Sequence, residues 1–256
     1  MSPSQRDKMF LRPLKDDCAG RLFCFPYSGL GASMYNRWPR RIPTESGDIE
    51  VCLLQPPGRE NRLREPHYGT YEALAELVVT SLAPYLDRPF ALFGHCGGAL
   101  AAFATALRLA ETDLPDATCV FVSSQVAPHE GPYGRFLSMT DEELSVELAD
   151  LTRAMGGEPH PDILALSLRV LRADVTANQR YRLDEPIVLP SDVRAIGWHD
   201  DREIRPEQMA GWPAYAEPGR YHHTVLPGTH HEFLRAPEAL QREFAIGLHT
   251  QERQNR

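Results

Sequence analysis

A chain of 256 residues, 42% hydrophobic and 24% charged, is long enough to bury a large core and has the composition of a soluble globular protein. Its formal net charge of −8 provides no global positive field to attract nucleic acid or an anionic membrane. No apolar run reaches the length of a membrane span. The opening MSPSQRDKMFLRPLKDD has no apolar stretch of the signal-peptide kind, so a cytoplasmic location is expected. The five cysteines form no C-x-x-C pair and no His/Cys cluster with zinc spacing.

In chain order, Arg21–Phe25 (RLFCF) reads as a short buried strand stopped by the turn-rich PYSGLGAS. Glu50–Gln55 (EVCLLQ) is a second strand, ended by PPGRE. Thr70–Tyr85 carries apolar residues at helical spacing. Pro89–Gly94 (PFALFG) is a strand and Gly97–Ala110 (GGALAAFATALRLA) a helix. Ala117–Ser123, Asp192–Gly197 and Tyr221–Leu226 are three further strands. Continuous apolar strands alternating with helices predict a mostly parallel sheet covered on both faces. One domain over 1–256 accounts for the pattern. Between about Gly131 and Leu189 the rhythm changes to helical patterns with no strand. This segment is either a helical lid over the ligand face or an ordinary pair of crossover helices.

Gly94-His95-Cys96-Gly97-Gly98 fits the pattern G-x-nucleophile-x-G, with Cys where Ser is usual. It lies between the strand PFALF and an Ala-rich helix, the context that gives this pattern meaning. Such a turn is so tight that the nucleophile is held in a strained backbone conformation. The helix start favours negative charge, hence a thiolate and an oxyanion. The reading is an α/β-hydrolase fold with Cys96 as nucleophile. A structural Cys in a glycine-rich turn is the bland alternative.

In that fold the acid and the histidine follow the nucleophile in this order. Trp198-His199-Asp200-Asp201-Arg202-Glu203-Ile204 follows a late strand and offers Asp201 as the orienting carboxylate, with Asp200 as alternative. Pro227-Gly228-Thr229-His230-His231 follows the last strand and offers His230 as the base, with His231 as alternative. An oxyanion hole needs two backbone N–H groups. Gly97 supplies one, and Ser28, or else Tyr27, the other. Tyr27 and His95 flank the site and are candidates for substrate contact, although a histidine so placed also serves to orient loops.

Beyond these motifs, FCFPYSGLGAS, YNRWP, QPPGRENRLREP, LDRPFALFGHCGGALAAFATALRL, VFVSSQVAPH, LRVLRADVTANQRY and LPGTHHEFL together resemble the type II thioesterases that accompany nonribosomal peptide and polyketide synthases. The resemblance covers nearly the whole chain. It implies an α/β-hydrolase core with a mobile helical lid, no metal or redox cofactor, and substrates tethered by phosphopantetheine to an acyl or peptidyl carrier protein. By position, Cys96, Asp201 and His230 fall on the family's nucleophile, acid and base, and Gly97 and Ser28 on its oxyanion donors. The chain departs from the family in three places. Cys96-Gly97 stands where Ser-Met is general, the opening loop reads SGLG and not AGG, and an extra residue follows His230.

A cysteine nucleophile changes the energetics. Its attack on a carrier thioester yields another thioester, a nearly isoenergetic exchange, whereas serine would yield a more stable oxoester. Hydrolysis of acyl or aminoacyl groups through an acyl-Cys intermediate is the expected reaction. Transfer of the group to a second thiol or an amine is the alternative. The arginines of the helical segment (Arg135, Arg153, Arg169, Arg172) are candidates for a basic patch facing an acidic carrier.

Overall fold

The computed structural model describes residues 7–249; the ends of the expected 1–256 domain, 1–6 and 250–256, lie outside the described residues. The strands are β1 (Gly20–Cys24), β2 (Arg41–Ile42), β3 (Ile49–Leu53), β4 (Phe90–His95), β5 (Cys119–Ser123), β6 (Asp192–Trp198) and β7 (Tyr221–Leu226). They form one seven-stranded sheet in the order β2-β3-β1-β4-β5-β6-β7. Every pairing is parallel except that of β2 with β3. The sheet and its covering helices are those of the α/β-hydrolase fold. Five of the six expected strands are offset from the bounds read in the sequence, and Tyr221–Leu226 matches. The two-residue β2 is too short to show any period.

Side chains alternate across the strands, so both faces are apolar. On one face Leu92, Val120 and Val122 pack with helix α1 (Tyr71–Leu82) and helix α2 (Gly97–Ala110). On the other, Phe93 and Phe121 meet Phe244 edge-on, at 5.0 Å between ring centroids in each case. Phe244 belongs to the C-terminal helix Glu238–His249. Each ring fully buried in this way contributes about 1.5–3 kcal/mol. Thr70 caps α1, its hydroxyl accepting from the Ala73 N–H at 3.2 Å.

The segment between β5 and β6 is helical. It holds α3 (Asp141–Ala154) and α4 (Pro161–Arg180), preceded by a 3-10 turn at Arg135–Ser138. A capping box starts α3, with Thr140 accepting from Glu143 N–H and Glu143 accepting from Thr140 N–H. The buried stripe of α4 (Leu171, Asp174, Val175, Asn178) faces the C-terminal ends of the central strands. In a sheet whose chain runs outward both ways from β1, those ends form the crevice where ligands bind.

Candidate active site

Four loops leave the C-terminal ends of β1, β4, β6 and β7, and each delivers one predicted component. After β4 the chain reverses into α2 through Cys96, at φ 53° and ψ −124°. That is a left-handed conformation which side-chain-bearing residues rarely adopt. The turn is pinned by the Cys96 N–H donating to Ser123 O at 2.9 Å. It also requires the flanking glycines. A Cβ on Gly94 would lie 1.9 Å from Gly98 O, and one on Gly98 would lie 2.8 Å from Pro26 O.

His230 lies after β7 and is 4% exposed. Its Nδ1 is 2.8 Å from Asp201 Oδ2. The rest of the Asp201 carboxylate is also engaged. Oδ1 accepts from the Glu203 and Ile204 N–H groups at 2.8 and 3.0 Å, and Oδ2 accepts from the Ser124 hydroxyl at 2.7 Å. Burial opposes the Asp201 charge, but His230 and these donors outweigh it and hold the carboxyl below its usual range. Asp200, by contrast, is exposed and pairs with His199 at 3.0 Å. Of the two aspartates, only Asp201 meets the histidine.

Burial likewise disfavours a charged His230. The Asp201 hydrogen bond, the neighbouring Cys96 thiol and Glu203 overcome it and lift the imidazole to about 10. His231 moves the opposite way, to about 4, through burial and the nearby His230 and Arg135 charges. Two adjacent histidines thus have opposite electrostatics, and His230 is the one coupled to Cys96.

Ser28 and Gly97 are adjacent: a Cβ on Gly97 would lie 2.3 Å from Ser28 Oγ. Among the described residues neither backbone N–H has a backbone partner. The Tyr27 N–H is engaged with Met34 Sδ at 3.1 Å, which leaves Ser28 the better placed donor. Behind this loop, Asp174 of α4 accepts from Gly29 N–H at 2.8 Å, from Arg59 Nη2 at 2.8 Å and from the Tyr68 hydroxyl at 2.6 Å. The helical segment is therefore anchored to the loop that carries Ser28.

Tyr27 and His95, expected against substrate, are both buried in this structure. His95 has no exposed surface. It stacks on Phe233 at 3.9 Å, and its Nδ1 is 2.9 Å from Ser123 Oγ. Burial and the nearby His230 and His231 keep it well below the ordinary histidine range, so it supports the site from behind. Tyr27 is 1% exposed, and its hydroxyl is 3.5 Å from His230 Nε2; it touches the histidine and not the open space above Cys96. The expected basic patch also changes character. Arg135 turns inward, and Arg153 and Arg172 pair with Asp150 and Asp141.

Glu203, which the sequence did not single out, and Arg135, expected only in a basic patch, complete the site. Glu203 lies 3.5 Å from His230 Nε2 and 2.9 Å from Arg135 Nε. Arg135 also donates from Nη1 to Glu147 of α3 at 2.7 Å. Glu203, His230 and His231 bring potential ligand atoms within 4.8 Å of one another, but the Arg135 guanidinium already neutralises Glu203 and Asp201 engages His230. The cavity above Cys96 is lined by Ser28, Arg135, Phe136, Val175, Asn178 and Glu203 among others and measures about 20 Å³. That is room for about one water molecule. A larger cleft of about 440 Å³ lies nearby, between Arg37 and Arg235.

A Cys, a His and an Asp on successive loops at one edge of a mostly parallel sheet, with an elbow under the first, define an α/β-hydrolase. The model of the thioesterase domain matches residues 20–245, and the chain belongs to that family of hydrolases acting on thioesters. It is similar to the gramicidin S biosynthesis protein GrsT of Aneurinibacillus migulanus, 32% identical over 82% of each chain. Among solved structures it resembles RedJ, a thioesterase from the prodiginine pathway of Streptomyces coelicolor. The TM-score is 0.74 at 32% identity, covering 95% of this chain and 99% of the other. It also resembles BorB, a type II thioesterase from the borrelidin cluster. There the TM-score is 0.76 at 27% identity, covering 93% and 96%.

Proposed function

We propose that the protein is a type II thioesterase of a nonribosomal peptide or polyketide pathway, acting on acyl or aminoacyl groups borne by the phosphopantetheine arm of a carrier protein. The observation that carries this reading is Cys96 at the elbow, beside a His230 held by Asp201. The kinship with GrsT and BorB supports the pathway. Cys96 Sγ attacks the thioester carbonyl, and the N–H groups of Gly97 and Ser28 receive the developing oxyanion. As the intermediate collapses, the C–S bond to the arm breaks and His230 protonates the departing thiol. Water then attacks the acyl-Cys and gives its proton to His230, and the carboxylic acid leaves as Cys96 is restored. The helices between β5 and β6 act as a lid. A space of about 20 Å³ holds no acyl group, so the lid must shift to admit one.

A second reading, transfer to another thiol or an amine, is favoured by the nucleophile itself, because acyl-Cys retains thioester reactivity. Intact-mass analysis with an acyl-carrier substrate tests both. Rapid turnover to free acid, with much lower kcat/KM on the same acyl group attached to a short thiol, supports hydrolysis on a carrier. A persistent adduct discharged only by an added thiol or amine supports transfer. No adduct and no product would overturn both.

A further inference from the structure

The loop that carries Ser28 is gripped from behind by one buried carboxylate. Tyr27 to Leu30 form a turn closed by the Leu30 N–H donating to Tyr27 O at 3.0 Å, and Gly29, in the third position, has φ 79°. A type II turn demands a positive φ there. Asp174 of α4 is 2% exposed and accepts from the Gly29 N–H through Oδ2 at 2.8 Å. The same oxygen accepts from Arg59 Nη1 at 3.1 Å, and that nitrogen also donates to Leu30 O at 2.9 Å. The turn is thus held at the two residues that follow Ser28. Oδ1 accepts from Arg59 Nη2 and the Tyr68 hydroxyl at 2.8 and 2.6 Å, and His67 Nε2 lies 2.7 Å from it. Burial opposes the Asp174 charge, but Arg59 and His67 outweigh it and hold the carboxyl well below its usual range. Packing seals the same contact. A Cβ on Gly29 would lie 2.9 Å from Leu171 Cβ of α4 and 3.3 Å from Leu148 Cδ2 of α3.

Seating α4 on the core needs only its apolar residues Leu171 and Val175. Burying a charge is unfavourable by itself, and what this charge fixes is a backbone N–H one residue from an oxyanion donor. We infer that Asp174 is a positioning residue for the oxyanion hole: by holding Gly29 it fixes the Ser28 N–H beside that of Gly97, where the thioester oxygen gains charge. This rests on the thioesterase reading above and adds a residue of the helical segment to its machinery. Asp174 does not line the cavity over Cys96, so it acts through the turn. An oxyanion donor is effective only within about 2.7–3.1 Å of the developing charge. A misplacement of about 1 Å costs on the order of a hundredfold in rate. Without Asp174 the Gly29 N–H has no acceptor, and the turn loses the contact that sets its place against Gly97.

The test separates the oxyanion hole from the thiol. An alkyl trifluoromethyl ketone takes Cys96 Sγ onto its carbonyl carbon, giving a hemithioketal whose oxygen carries the negative charge while His230 holds the thiol proton. Iodoacetamide alkylates the same sulfur with loss of iodide and builds no oxyanion. In Asp174→Asn the inhibition constant of the ketone should rise at least about tenfold and kcat on a carrier-bound acyl group should fall on the order of a hundredfold. KM should stay within about threefold, and alkylation of Cys96 should be no slower than in the wild type. Because Asp174→Asn leaves the buried Arg59 without its counter-charge, the double variant Arg59→Met/Asp174→Leu is measured beside it. Removing both charges together spares the fold yet still strips Gly29 of its acceptor, so the same split is expected. Unchanged ketone affinity and kcat in either variant overturn the inference. So does a loss of alkylation in proportion to the loss of ketone binding, which is general damage to the site. A wild-type protein that binds the ketone but turns over no carrier thioester overturns the thioesterase reading alone, and the ketone comparison still decides the role of Asp174.

Discussion

At the scale of single residues the site turns on which of two neighbouring aspartates meets the histidine. Asp201 spends all its acceptor capacity on Glu203, Ile204, Ser124 and His230, whereas Asp200 is exposed on His199. Asp201→Asn should lower kcat by on the order of a thousandfold, and Asp200→Asn should leave it within about twofold. The sign of the pH effect follows from the same bond. Asp201 favours the charged imidazole and helps to hold it at about 10, so its loss moves the His230 pKa down towards the ordinary value near 6.5. The alkaline limb of the pH–rate profile should therefore shift to lower pH in Asp201→Asn and stay in place in Asp200→Asn. An alkaline limb that moves only in the Asp200 variant would reverse the assignment. Cys96, Asp201 and His230 were legible because each stands at a fixed offset from a recognisable strand. The pairing of Glu203 with Arg135 was not, since nothing local to Arg135 in the chain signals a partner that reaches it only through the fold.

At the scale of elements, the helical segment proposed as a lid is held by contacts of two kinds. The buried Asp174 hub ties α4 to the loop of Ser28, while Arg135 links Glu147 of α3 to Glu203 beside the histidine. The hub is buried and multiply bonded, so it serves as the fixed end; the Arg135 contacts are half-buried and serve as the releasable end. Arg135→Met keeps the bulk but removes both ion pairs. It should raise hydrogen exchange across Gly134–Met139 and the first turns of α3 while leaving the exchange of α4 around Asp174 unchanged. Equal protection of Gly134–Met139 in variant and wild type would refute the latch. The strandless helical segment was visible in the sequence from its helical patterns. Its two attachments were not, because Arg59 and Asp174 are far apart in the chain. The helix Glu238–His249 shows the opposite case: Leu240, Phe244 and Leu248 recur every four residues, a readable signal outside the elements expected.

At the scale of the whole molecule, the parallel order of strands and the chain order of the site residues agree, which is why the fold was readable from apolar runs and turns alone. What the runs could not give is how tightly the ends of those strands are packed around Cys96. Cys96 holds a positive φ only because Gly94 and Gly98 are pressed together beneath it and its N–H is tied to Ser123. The rest of the protein enforces a conformation that residue 96 would not choose, at a cost of order 1–3 kcal/mol. Chemistry and robustness therefore compete for this one position. In most buried helical starts alanine is the more stabilising of the two smallest residues, but here the order should invert. Chemical denaturation should find Cys96→Gly more stable than Cys96→Ala by about 1 kcal/mol, with both proteins inactive. The Gly variant would show how much more stable the fold becomes once it no longer has to hold a side chain there.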